Sequence, residues 1–179
     1  MADPTEGLQL DSSDAEMTMR IGRSIGACCV AGDVIALDGE LGAGKTQFVR
    51  GLAEGLGFDP RQVSSPTFVI VQEYDQPAPG SGLTPGRRPV TMIDALIHID
   101  AYRLRSAGDL ESIGWEGDGD AMREGAVVAV EWASLLGEAL PADRLSVMIE
   151  HEPAGRLISL IAQGGWVPRI AQLRTALAQ

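Results

Sequence analysis

The stretch GELGAGKT, residues 39–46, follows directly on the apolar run VIALD, residues 34–38. It fits G-x-x-x-x-G-K-[ST] in full, with a strand pattern before it and a helix pattern after it. In such a loop the glycines let the backbone curl. Successive N–H groups then face a phosphate at the positive end of a helix dipole. Lys45 is placed to reach the outer phosphates and the Thr46 hydroxyl to ligate Mg²⁺. A strand–loop–helix unit of this kind decides the fold class, because it belongs to a parallel α/β sheet.

Lys45 is the only lysine in the chain, and every other basic residue is Arg; Asn is absent altogether. Coding bias explains the background. A lysine kept in the loop then points to a place where a compact point charge serves and a planar guanidinium does not. Guanine recognition through an Asn-Lys-x-Asp element is excluded by the same inventory, so ATP is the expected nucleotide.

Working outward, residues 1–12 read as a flexible lead-in, and residues 13–179 as one domain. Ser13-Asp14-Ala15-Glu16 matches a capping box, followed at helical spacing by Met17, Ile21, Ile25 and Cys28 or Cys29. This predicts a helix over 14–30. A second helix is expected over 45–56, ending at Gly57. Residues 63–67 form a loop, 68–74 a strand, and the Pro/Gly-rich segment 75–89 a surface insertion. Strand signals resume across 90–100, a short helix is expected at 107–113, and AVVAVEW, residues 126–132, suits a buried central strand. Residues 145–150 and 157–162 pair around a Pro153-Ala154-Gly155 turn, and a last helix covers 167–178. The expected architecture is α/β: a single P-loop NTPase-like domain with a central mixed β-sheet flanked by helices.

Composition narrows the function. The 179 residues are 45% hydrophobic, enough for a core, with only 4% aromatic. No apolar run approaches the ~18 residues of a membrane span. The polar, acidic N-terminus is unlike a signal peptide, so a cytoplasmic protein is expected. The net charge of −11 disfavours direct binding of a polyanion, and any RNA would be held by a partner. Cys28 and Cys29 are adjacent on a helix, which suits small buried hydrophobes rather than a disulfide.

Magnesium calls for a second oxygen ligand at a neighbouring strand end. Two carboxylates terminate apolar runs: Asp100 after ALIHI and Glu131 after AVVAV. Mg²⁺ takes only one or two protein carboxylates, so one holds metal and the other orients a water.

With these residues assembled, the chain resembles the TsaE (YjeE) family of ATPases in tRNA threonylcarbamoyladenosine biosynthesis. The resemblance runs in order over residues 14–165: GELGAGKTQFVRGLAEGLG, SSPTFVIVQEY, HIDAYRL, DLESIG, VEW and a closing GRLISL. SPTF followed by H-x-D-x-Y-R and E-W is far more specific than the phosphate loop alone. The resemblance implies an ATPase that works with the partner proteins TsaB and TsaD and meets tRNA only through that complex. It implies that Glu131 pairs with Thr46 on Mg²⁺, and that Ser65, Pro66, Thr67 and Phe68 form a switch-like loop near the γ-phosphate. Asp100 becomes the water-orienting or outer-shell residue. Around the nucleotide it places Gly39, Glu40, Leu41, Gly42, Ala43, Gly44, Lys45, Thr46 and Gln47, with Thr18 near the base, Thr67, Trp132 and Arg156. The residues expected to be catalytic are Lys45, Asp100 and Glu131. Two departures stand out: the 75–89 insertion, and Gln47 where another Thr is usual.

No arginine is placed by the loop to act as a finger, although Arg103 in HIDAYR is a candidate. Weak turnover alone, stimulated by partners, is therefore expected. Two other readings share the loop: a small-molecule P-loop kinase, for which Arg87 and Arg88 in the insertion are the only lid candidates, and a non-catalytic, nucleotide-dependent assembly factor.

Overall fold

The structure, a computed structural model, describes residues 5–65, 70–75, 93–104, 109, 113–115 and 125–177. Seven strands form one mixed sheet in the order β1-β7-β6-β2-β5-β4-β3. The centre is parallel: β2 (Val34–Gly39) lies between β5 (Ala126–Glu131) and β6 (Leu145–Glu152), and β4 (Ala95–Asp100) follows β5. Strands β3 (Val71–Asp75), β7 (Gly155–Gln163) and β1 (Thr5–Ser12) are antiparallel additions at the two sides. β4 and β5 are buried along their whole lengths, which is why their sequences read as unbroken apolar runs rather than alternating ones.

The stretch expected to be a flexible lead-in is largely strand. Residues 5–12 run as β1 along β7, in register from Thr5 opposite Gln163 to Ser12 opposite Arg156. Leu8 and Leu10 pack against the core while Gln9 and Asp11 face out. The period of two was there to read, but the acidic composition masked it and the partner strand lies far along the chain.

Helices α1 (Ala15–Gly26), α2 (Lys45–Gly55) and α3 (Val167–Leu177) share a core with Ile35, Leu37, Val127, Val147 and Ile158 of the sheet. Asp14 caps α1, its Oδ1 accepting the Met17 N–H at 2.8 Å, so the cap falls one residue later than the Ser13 box predicts. The helix also stops earlier than expected, at Gly26 rather than 30. Helices α1 and α2 touch backbone to backbone at small residues. A Cβ on Gly26 would lie 2.3 Å from the Leu52 carbonyl oxygen, and one on Gly51 would lie 2.0 Å from that of Met19. This close crossing carries Thr18, near the start of α1, up against Gly44 of the phosphate loop.

The opposite face is lined by small residues, among them Ala36, Ala95, Ala126 and Val128, under Trp115 and Ala133. Far from the loop, the Arg169 guanidinium holds Asp33 in two hydrogen bonds of 2.6 and 2.7 Å and stacks over Trp166, 3.9 Å from its ring centroid. This ties α3 to the start of β2. Among the described residues no helix is long and apolar enough to cross a membrane. The 75–89 insertion (beyond Asp75), Arg87, Arg88 and the expected 107–113 helix apart from Asp109 and Ile113 lie outside the described residues.

Candidate nucleotide site

The loop leaves the half-buried end of β2 and enters α2 through Gly44, whose φ of 114° is open to glycine and costly for other residues. Gly39 is held just as tightly, since a Cβ there would lie 2.4 Å from the Ile149 carbonyl oxygen. Lys45 folds back over the loop. Its Nζ donates to the carbonyls of Gly39 (2.6 Å) and Glu40 (3.0 Å) and sits 3.7 Å from the Trp132 ring centroid. Burial pushes the Lys45 ammonium below the usual lysine value, opposed by the carboxylates of Glu131, Asp100 and Asp38.

Trp132 is the only non-glycine among the described residues with positive φ, at 58°. That conformation costs ~1–2 kcal/mol in an ordinary residue. Asp38, at the end of β2, holds the turn by accepting the Ser134 N–H at 3.0 and 3.2 Å.

Glu131 and Asp100 lie opposite each other at the ends of β5 and β4. Thr46 Oγ1 donates to Glu131 Oε1 at 2.8 Å, and His98 Nε2 lies 3.0 Å from the same oxygen. Asp100 takes the Tyr102 N–H at 3.1 Å and meets Arg103 Nε at 3.4 Å. Burial raises the Asp100 carboxyl above the usual range, and nearby Glu131 adds to the rise. Thr46 and Glu131 offer two hard oxygens at adjoining element ends. This donor set fits Mg²⁺, which draws its remaining ligands from phosphate and water.

Arg156 clamps the other side of the loop, donating to Ala43 O at 3.0 Å and Gly42 O at 3.4 Å. Beside it opens a cavity of about 180 Å³ bounded by Ser13, Thr18, Gly42, Gly44, Gln47 and Arg156 among others. Thr18 is buried there, bonded to Ser12 Oγ at 2.8 Å. Gln47 also accepts from Arg50 at 3.1 Å. Leu41 and Glu40 are exposed on the loop.

The residues expected around the nucleotide from 39 to 47, with Thr18, Asp100, Glu131, Trp132 and Arg156, thus gather at one end of the sheet. Thr67, Pro66 and Phe68 lie outside the described residues, and Ser65 is the last one described before them. Sequence reasoning gave no role to His98, Asp38 or Ser12. For His98 the signal was parity: it stands two residues before Asp100 and shares its face of the sheet.

This fold and this loop define a P-loop NTPase-like, nucleotide-binding protein. The chain belongs to the TsaE family: the family model "Threonylcarbamoyl adenosine biosynthesis protein TsaE" matches residues 12–158. It is 38% identical to the tRNA threonylcarbamoyladenosine biosynthesis protein TsaE of Bacillus subtilis over 136 residues, 76% of this chain and 73% of that one. It is 40% identical to the Streptomyces coelicolor protein of the same name over 132 residues, 73% and 77% of the two chains. The crystal structure of YdiB from Bacillus subtilis matches with a TM-score of 0.66 at 30% identity, covering 99% of this chain and 97% of that one.

Proposed function

We propose that this protein binds and hydrolyses Mg·ATP as the ATPase of the machinery that forms N6-threonylcarbamoyladenosine beside the tRNA anticodon, acting with TsaB- and TsaD-type proteins. The observation that carries the reading is the Thr46–Glu131 contact at 2.8 Å, which joins the loop's metal-binding hydroxyl to a strand-end carboxylate. Family membership supports the pathway. The absence of Asn supports adenine over guanine.

The loop amides and Lys45 hold the phosphates, and Lys45 exchanges its carbonyl partners on Gly39 and Glu40 for phosphate oxygens. Thr46 and Glu131 would hold Mg²⁺, which would supply neutralisation of the charge developing on the phosphates. Asp100 orients the attacking water, and its burial makes it a better proton acceptor than a solvated carboxylate. The water oxygen bonds to the γ-phosphorus as the bond to the bridging oxygen breaks, releasing ADP and phosphate. The nucleoside occupies the cavity beside Thr18 and Arg156.

Arg103 is engaged with Asp100, which supports slow turnover of the chain alone. A finger supplied in trans can be worth ~10³–10⁵ in rate. The test is to measure phosphate release and threonylcarbamoylated tRNA with and without the two partners. Stimulation is expected in their presence. An unchanged rate, or phosphate appearing on a small metabolite instead of in water, contradicts the reading.

A further inference from the structure

We infer that His98 is a positioning residue for the metal site: it donates Nε2–H to Glu131 Oε1 and fixes the carboxylate in its metal-holding orientation. The inference rests on the Mg·ATP reading above.

His98 is completely buried on β4, beside β5, on the same face as Leu96 and Asp100. Its Nε2 lies 3.0 Å from Glu131 Oε1, while its Nδ1 has no hydrogen-bond partner among the described residues. An imidazole in that position buries two polar nitrogens and recovers a bond for only one. Packing alone would favour an aliphatic side chain, such as the Leu96 that precedes it on the same face. The ring's remaining use is its bond to Glu131.

The geometry shows what that bond does. Both donors to Glu131, Thr46 Oγ1 and His98 Nε2, converge on Oε1, and among the described residues Oε2 accepts none. The carboxylate is thereby turned with one oxygen anchored inward and the other left for a cation. Thr46 ties the orientation to the ion it also ligates, an oxygen lone pair going to the metal while the O–H goes to Oε1. His98, on a fully buried strand, supplies the anchor that does not move when metal binds. Partners of this kind behind metal ligands typically account for 10–100-fold in metal affinity.

The test compares wild type with His98→Leu, which keeps the bulk and loses the donor, and His98→Gln, which restores an N–H near the Nε2 position. ATP binding is titrated with Mg²⁺ and repeated in EDTA, and thermal unfolding of the free proteins is recorded. His98→Leu is expected to need roughly tenfold more Mg²⁺ for half-saturation, with unchanged ATP affinity in EDTA and no loss of melting temperature. His98→Gln is expected to recover most of the Mg²⁺ response. Nitrogen NMR of the wild-type imidazole is expected to show Nε2 protonated. Wild-type Mg²⁺ dependence in His98→Leu, failure of His98→Gln to rescue, or an unprotonated Nε2 overturns the inference while leaving the nucleotide reading intact. A wild-type protein that binds ATP without any response to Mg²⁺ overturns both.

Discussion

Thr46 and Glu131 are 85 residues apart in the chain and 2.8 Å apart in the structure, hydroxyl to carboxylate. One opens the helix that follows the phosphate loop, and the other closes the strand next to β2. The contact joins the nucleotide loop to the carboxylate proposed to hold the metal. Glu131→Ala is accordingly expected to cut ATP turnover by about 10²-fold or more, as removal of a transition-state electrostatic partner does. It also strands Thr46 and His98 without their acceptor, at ~1–3 kcal/mol. Steady-state phosphate release and denaturant unfolding check the two effects separately.

The glycine contact between α1 and α2 leaves no room for a side chain. Gly51→Ala would push a methyl to 2.0 Å from the Met19 carbonyl oxygen. The expected cost is on the order of 1–3 kcal/mol, the range for overpacked cores. Because the same crossing sets Thr18 beside the loop, ATP affinity should fall together with the urea midpoint. A variant with native stability and native affinity would contradict this account of the crossing.

Trp132 is placed to report on the loop. Its ring lies 3.7 Å from the Lys45 ammonium, so transfer of that ammonium to phosphate should change its emission. Trp132→Phe should abolish the ATP-dependent signal while Trp115 and Trp166 continue to emit. A cation–π contact of ~0.5–2 kcal/mol limits the accompanying change in affinity to at most about thirtyfold. An unaltered signal in the variant would assign the change to another tryptophan.

The Asp33–Arg169 pair should matter to stability and not to the site. Its side chains are only 7% and 17% exposed. Removing one member of a pair buried to this degree costs ~3 kcal/mol. Arg169→Ala is expected to lower the melting temperature with ATP affinity unchanged, as read by thermal scanning and calorimetric titration.

The parts of the site that could be read in the sequence are the local ones. Residues 39–46 carry the loop in one contiguous motif, and the ends of two apolar runs marked Asp100 and Glu131. What escaped depends on partners distant in the chain. β1 is a strand because β7 offers it an edge, and its own composition reads as polar lead-in. Helix α1 ends at Gly26, with no stop signal in Ala27, Cys28 or Cys29. His98 meets Glu131 only because strand pairing sets β4 beside β5.

Lys45 is expected to meet the phosphates of ATP, and as the chain's single lysine it is directly measurable. An acyl-phosphate derivative of ATP transfers its acyl group to an amine lying beside the phosphates, and peptide mass spectrometry locates the label. Acylation of Lys45 is expected, suppressed by excess Mg·ATP and far less by Mg·GTP. Label confined to the N-terminal amine, or Lys45 label indifferent to Mg·ATP, would contradict it.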